Sequence, residues 1–254
     1  MTRRDMIGQD FRETGWQIAP NGVIPTQFQV FGERSSGTNY VKRILGRNTV
    51  MQPIEDLGWK HGFPQMTAIP AHVAVVCVVR DARDWSLSMH AKPWHCPPQM
   101  QVLEFAEFIR APWATIADRK RYFPQVQALG GLGLPLQLDR DPLTGVPFAN
   151  LYALRRAKLA ALLSFYNRGC TVVFCRMENV IAAPQRFVTE VQAELGLASP
   201  EQDFRPIHKR LGSRFLPSVT PRPATPKAMP DADLDFMTTQ LDSAQEALLG
   251  YGYT

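Results

Sequence analysis

The chain has 254 residues, 45% of them hydrophobic and 20% charged, with a formal net charge of +5. That length and composition build one sizeable α/β domain with its own core, and the small, dispersed basic excess suits an anionic ligand while arguing against a nucleic-acid binder, which gathers its cations in a dense stripe. No stretch approaches the ~18 apolar residues of a membrane helix, no apolar leader follows the charged start Met1-Thr2-Arg3-Arg4-Asp5, and Cys77, Cys96, Cys170 and Cys175 lack metal-site spacing, so a cytoplasmic protein with reduced thiols and no metal is expected.

Residues 1–25 have weak periodicity and read as an N-terminal arm, leaving 26–254 as a single domain. The apolar run at 26–32 predicts a strand, followed by a glycine-bounded loop and a helix over 38–46. Residues 47–71 carry Pro53, Gly58, Gly62, Pro64 and Pro70 and read as loop with one short strand at most. Residues 72–80, His-Val-Ala-Val-Val-Cys-Val-Val-Arg, are β-branched and nearly uncharged, the signature of a strand buried on both faces. A helix over 82–90 follows.

Three prolines exclude a regular helix from 91–100. Helix is expected again at 101–110, then a long Gly/Pro-containing excursion over 111–149. Asn150 is placed to cap a helix reaching Arg168, with Leu151, Leu154, Leu159, Leu162 and Tyr166 as its apolar face and Gly169 closing it. A strand at 171–176, a helix at 184–196, a proline-rich strap at 217–230 and a last helix at 231–249, capped by Asp231 or Asp233, complete the chain. Alternating strands and helices predict a three-layer α/β/α domain around a central parallel sheet.

Within this frame, Gly32-Glu33-Arg34-Ser35-Ser36-Gly37-Thr38-Asn39 joins a strand to a helix, the build of a loop that cradles phosphate on backbone N–H groups and a helix N-terminus. Gly32 and Gly37 have the P-loop glycine spacing, but Thr38-Asn39 stands where a triphosphate loop needs Lys and then a magnesium-binding Ser or Thr. A phosphate ligand other than Mg-ATP follows. Arg80 ends the second strand, where open α/β sheets place their ligands, and Ser88 lies eight residues on, two turns into the next helix.

Together these segments resemble the sulfotransferases that use 3′-phosphoadenosine 5′-phosphosulfate, proteins of P-loop NTPase-like fold. Ser36-Gly37-Thr38 matches the core of that family's 5′-phosphosulfate motif, and Arg80, Asp81, Arg83, Asp84 and Ser88 match its 3′-phosphate motif, spacing included. Arg176-Met177-Glu178-Asn179, Leu195-Gly196-Leu197 and Leu249-Gly250-Tyr251 are similar to later family features, so the likeness spans most of residues 26–251. The resemblance implies sulfonate transfer from that donor, without a metal, to a hydroxyl or amine of a small molecule, sugar or glycolipid. It implies donor binding by Arg34, Ser35, Ser36, Gly37, Thr38, Asn39, Arg80 and Ser88. The family's loop lysine falls at Ser35, with Arg34 adjacent, and guanidinium and ammonium are not interchangeable. The basic segment Lys209-Arg210-Leu211-Gly212-Ser213-Arg214 stands roughly where many members carry a glycine-rich element.

Such chemistry needs a base for the acceptor proton and positive charge at the leaving oxygen. The family places a basic-residue/His pair ahead of the second motif, and Lys60-His61 falls in that interval. His61 is the expected base and Lys60, with Arg34, the expected source of charge; the plainer alternative is a loop histidine satisfied by backbone beside a solvated lysine. His90 and His95, and more remotely Glu55 and Asp56, are reserve bases. Trp85 and Trp94 stack on adenine, line the acceptor pocket, or belong to the core. The rival functions are a P-loop small-molecule kinase and a non-catalytic relative that binds nucleotide without turnover.

Overall fold

The computed structural model describes residues 7–198, 202–208, 211 and 214–253. Five strands form one mixed sheet: β1 (Trp16–Ala19), β2 (Gln27–Gly32), β3 (Gln52–Pro53), β4 (Val73–Val79) and β5 (Val172–Arg176), in the order β1-β5-β4-β2-β3. The pairs β2/β3, β2/β4 and β4/β5 are parallel, as expected, whereas β1 pairs antiparallel with β5 in the register Trp16↔Cys175 to Ala19↔Val172, so the sheet is mixed. This edge strand lies within the segment read from sequence as an arm. Its four residues are too few to display a period, and the indole of Trp16 anchors it by donating to Glu190 Oε2 at 2.6 Å.

The helices in chain order are α1 (Gln9–Thr14), α2 (Thr38–Asn48), α3 (Ala82–Ala91), α4 (Pro98–Gln101), α5 (Phe105–Arg110), α6 (Pro124–Ala128), α7 (Leu151–Leu163), α8 (Met177–Ala182), α9 (Pro184–Glu194), α10 (Asp231–Gln240) and α11 (Ser243–Leu248). The chain divides into two compact units, one of residues 1–81, 158–213 and 242–254, the other of 82–157 and 214–241.

The first unit holds the sheet. Every residue of β4 is buried, and its side chains alternate between two cores. Ala74, Val76 and Val78 pack with Phe28, Val30, Val41, Ile44, Leu45, Val180, Phe187 and Val191, joining one sheet face to α2, α8 and α9. Val73, Val75, Cys77 and Val79 pack with Phe11, Phe31, Leu159, Leu162, Phe174 and Leu248 on the other face. Each fully buried valine is worth roughly 1.5–3 kcal/mol over exposure, so β4 pins both layers to one strand. Cys77 and Cys175 are buried thiols inside the sheet, pushed upward in pKa chiefly by burial.

The second unit contains α3 to α6, the first turns of α7, and α10. Asn150 caps α7 as its sequence predicts, its Oδ1 accepting from Tyr152 N at 3.0 Å and Ala153 N at 2.9 Å. The excursion over 111–149 is tied down by buried Asp139, which accepts from Trp113 Nε1 and Thr115 Oγ1. The proline-rich strap is pinned through Arg222, which donates to the carbonyls of His90 and Gln101, and through Ser218 N, which donates to Gln101 Oε1. The helix expected over 231–249 breaks at Leu241. Asp242 caps the second half, accepting from Gln245 N at 3.0 Å, while Asp233 pairs with Arg110 instead of capping α10.

Candidate functional site

The loop after β2 is bent by two left-handed residues, Ser35 at φ 63° and Gly37 at φ 93°. Ser36 closes the bend: its Oγ and its backbone N–H both donate to the Glu33 carbonyl, at 2.7 and 3.2 Å. The Ser36 hydroxyl therefore shapes the loop. α2 starts at Thr38, and the Gly37 carbonyl accepts from Tyr40 N and Val41 N. The backbone N–H groups of Ser35, Gly37, Thr38 and Asn39 hold no hydrogen bond among the described residues. Four donors gathered at the start of an eleven-residue helix, whose first turn holds no acid, make an anion cradle.

The two glycines let backbone and neighbours come close. A Cβ on Gly32 would stand 2.5 Å from the Val78 carbonyl, and one on Gly37 would stand 2.4 Å from Met177 Sδ. The loop thus lies against the end of β4 and the first residue of α8. Parallel pairing of Gly32 with Val78 sets the carboxyl ends of β2 and β4 side by side. Arg80, just past β4, uses that proximity: its Nη1 donates to the Ser35 carbonyl at 3.1 Å.

Lys60 and His61 flank the same glycine. Gly32 N donates to the Lys60 carbonyl at 3.0 Å, and His61 Nδ1 lies 2.7 Å from the Gly32 carbonyl. Gln29, a buried polar residue in an apolar strand, holds the approach to this segment, donating to the Gly58 carbonyl and accepting from Leu57 N. The Lys60 ammonium donates to Asn39 Oδ1 at 2.6 Å, on the first turn of α2. Burial lowers the pKa of Lys60; Glu55 opposes that shift and Lys42 adds to it.

Arg34 is buried, and its guanidinium faces the ring of Trp59 at 5.8 Å; Trp59 in turn meets His61 edge to face at 5.5 Å. Sequence reasoning missed Lys158. Its Nζ donates to the His61 carbonyl at 2.8 Å and sits 4.0 Å from the Phe63 ring. The signal was available, because Lys158 stands four residues from both Leu154 and Leu162, on the face of α7 read as apolar. Glu178 was singled out in the sequence, but without a role. Its carboxylate accepts from Asp81 N at 2.8 Å and from the Tyr251 hydroxyl at 3.0 Å.

Ser88 is on α3, in the second unit, while Arg80 belongs to the first. His90 is buried with both ring nitrogens engaged, Nδ1 with Thr225 Oγ1 at 2.7 Å and Nε2 with the Leu103 carbonyl at 3.0 Å, and burial lowers its pKa. His95 pairs with Asp118 at 2.6 Å. Glu55 is bonded to Lys42 at 2.6 Å, which holds its carboxyl below the usual range and makes it a weak base; Asp56 is exposed. Trp85 is fully buried beneath Arg155, and Trp94 packs between Arg119 and Phe215. Of the basic segment at 209–214, Lys209, Arg210, Gly212 and Ser213 lie outside the described residues. Among the described residues no group of His, Cys, Asp and Glu could hold a metal ion, and no helix is long and apolar enough to cross a membrane.

Comparison with known protein families, with curated proteins and with solved structures finds no match to this chain.

Proposed function

We propose that the chain is a sulfotransferase of P-loop NTPase-like fold that takes its sulfonate from 3′-phosphoadenosine 5′-phosphosulfate and passes it to a hydroxyl or amine acceptor. The observation that carries this reading is the hydrogen bond by which Arg80, the first residue of the second motif, holds the loop of the first at the Ser35 carbonyl. The residues present fit a phosphosulfate. Four unbonded N–H groups converge at the start of α2, the glycines admit close approach, and Lys60 brings an ammonium to Asn39 although the loop itself has no lysine. The ligand supplies an activated sulfonate and an anionic leaving group.

The chain's own groups divide the remaining work. The N–H groups of residues 35 and 37–39 bind the 5′ end, and Arg80 takes the 3′-phosphate through a planar, bidentate-capable guanidinium. Lys60 stabilises charge at the 5′ end; Arg34, directed at Trp59, supports that ring. His61 accepts the proton. A carbonyl oxygen only accepts, so the contact with Gly32 requires the proton on Nδ1 of the neutral ring and leaves Nε2 as its lone-pair nitrogen.

Calorimetry tests the reading. The nucleotide product 3′-phosphoadenosine 5′-phosphate should bind without magnesium and in preference to Mg-ATP. Arg80→Ala should weaken that binding on the order of tenfold to a hundredfold, the worth of a hydrogen bond to a charged group, with melting curves checking that the loop still folds. No binding, or a preference for Mg-ATP untouched by the substitution, sinks the sulfotransferase. Binding with no transfer to any acceptor would leave the non-catalytic relative.

A further inference from the structure

The excursion over 111–149 holds a smaller loop closed at its base. Leu136 N donates to the Thr115 carbonyl and Ala117 N to the Leu134 carbonyl, both at 2.9 Å, and Gly133 N donates to the Ala117 carbonyl at 3.0 Å. The chain between these rungs is anchored. Phe123 is buried with its ring 5.4 Å from that of His95, and the Arg119 guanidinium lies 4.6 Å from the Trp94 ring. This loop combines cations with exposed apolar side chains. Arg119, Lys120 and Arg121 stand in a row, and no Asp or Glu occurs from there to Leu138. Asp118, the acid just before them, is engaged by His95 at 2.6 Å and by Arg119 at 3.6 Å, while Lys120 and Arg121 are exposed. None of the residues of α6 is buried. Beyond it Leu129 is 87% exposed and Leu134 61%. A Cβ on Gly131 would stand 3.0 Å from Val126 and 3.7 Å from Leu134, so these two apolar side chains flank the same glycine.

One exposed leucine is ordinary; two beside an exposed tyrosine, Tyr122, and a run of cations form the mixture of a segment that rests in a bilayer's boundary. We propose that residues 119–134 form a docking surface for an anionic lipid bilayer, with Leu129 and Leu134 entering the acyl boundary and Lys120 and Arg121 meeting acidic headgroups. Charge complementarity selects this occupant. An acidic macromolecule would use the cations and leave the leucines in water, whereas an anionic bilayer uses both. The same excursion carries its own contrast. Leu143 is 95% exposed, but its turn is closed by Asp141, whose Oδ1 accepts from Leu143 N and Thr144 N, and a carboxylate beside that leucine opposes approach to an anionic surface. The inference is independent of the sulfotransferase reading.

Co-sedimentation of the full chain with lipid vesicles tests it, using phosphatidylcholine alone and equal parts of phosphatidylcholine and phosphatidylserine, with thermal melting to confirm that each variant is folded. Wild type should sediment with the mixed vesicles and not with phosphatidylcholine alone, and added salt should weaken the binding. Lys120→Gln with Arg121→Gln should weaken it about tenfold or more at low salt. Leu129→Ser with Leu134→Ser leaves the net charge untouched and should also weaken it about tenfold, through lost apolar burial. Leu143→Ser should stay within about twofold of wild type, since that tip faces the membrane with a carboxylate. No sedimentation with the mixed vesicles at low salt overturns the proposal. So does binding that survives either double variant, or that falls equally in Leu143→Ser. Retention on heparin without vesicle binding, lost in the cation variant and kept in the leucine variant, assigns the face to an acidic macromolecule and overturns it as well.

Discussion

Lys60 reaches the first turn of α2 from outside the loop, and that placement has a thermodynamic signature. Its pKa is lowered by burial, so the folded chain releases this proton at lower pH than the unfolded chain, whose lysines titrate near ~10.4. As pH rises toward that value the unfolded state binds more protons, and stability contributed at this site rises with pH. At neutral pH the desolvation cost is present in full. Lys60→Met should therefore be at least as stable as wild type at pH 7, and the gap should close between pH 7 and 10 as wild type recovers. Denaturant midpoints at the two pH values measure it; a constant gap would mean that the ammonium carries no burial cost. If the chain is the sulfotransferase proposed above, transfer by the variant should fall on the order of 10²- to 10³-fold, as when one preorganised donor is removed from a developing charge.

The first unit's elements are tied at their ends by a carboxylate of α8. Glu178 accepts from the backbone just past β4 and from Tyr251 near the chain's end. Arg176, beside it, donates to the carbonyls of Gly250 and Arg12. Tyr251→Phe removes one bond and should cost about 1 kcal/mol; Glu178→Ala strands two donors and should cost about 2–3 kcal/mol. The double variant should cost less than the sum, because the pair shares one contact; urea unfolding reads all three, and strict additivity would show that the contact contributes nothing. Both residues stand in segments singled out in the sequence, yet nothing in a linear chain says that Glu178 and Tyr251 touch. The same distinction runs through the fold. β2, β4, β5, α2 and α3 were legible because each is a long run of one period with a clear stop. β1 was not, since four residues display no period and their pairing partner lies more than a hundred positions away. The break at Leu241 was missed because the helical pattern continues through it, while Asp242 satisfies the next helix locally. At the site, the loop and Arg80 were legible from spacing. Lys158 and Gln29 were readable only as polar residues in apolar stretches, and their hydrogen-bond partners come from tertiary placement.

The distribution of candidate residues over the molecule makes a further prediction. Residues 32–39, Lys60, His61, Arg80, Lys158 and Glu178 all belong to the first unit. The excursion over 111–149 belongs wholly to the second. It exposes Leu129 to 87% and Leu143 to 95%, and its glycines at 130, 133 and 145 adopt positive φ with open space around them. Exposed loop tips of this kind are where proteases cut first, so a protease selective for large apolar residues should nick the chain after Leu129 or Leu143 before it cuts β2, β4 or β5. If residues 32–39 and Arg80, which belong to the first unit, bind the nucleotide as proposed, the nicked protein should elute as one species and bind 3′-phosphoadenosine 5′-phosphate within about twofold of the intact chain. Fragments that separate, or nucleotide binding lost on nicking, would mean that the cradle depends on the excursion for its own integrity.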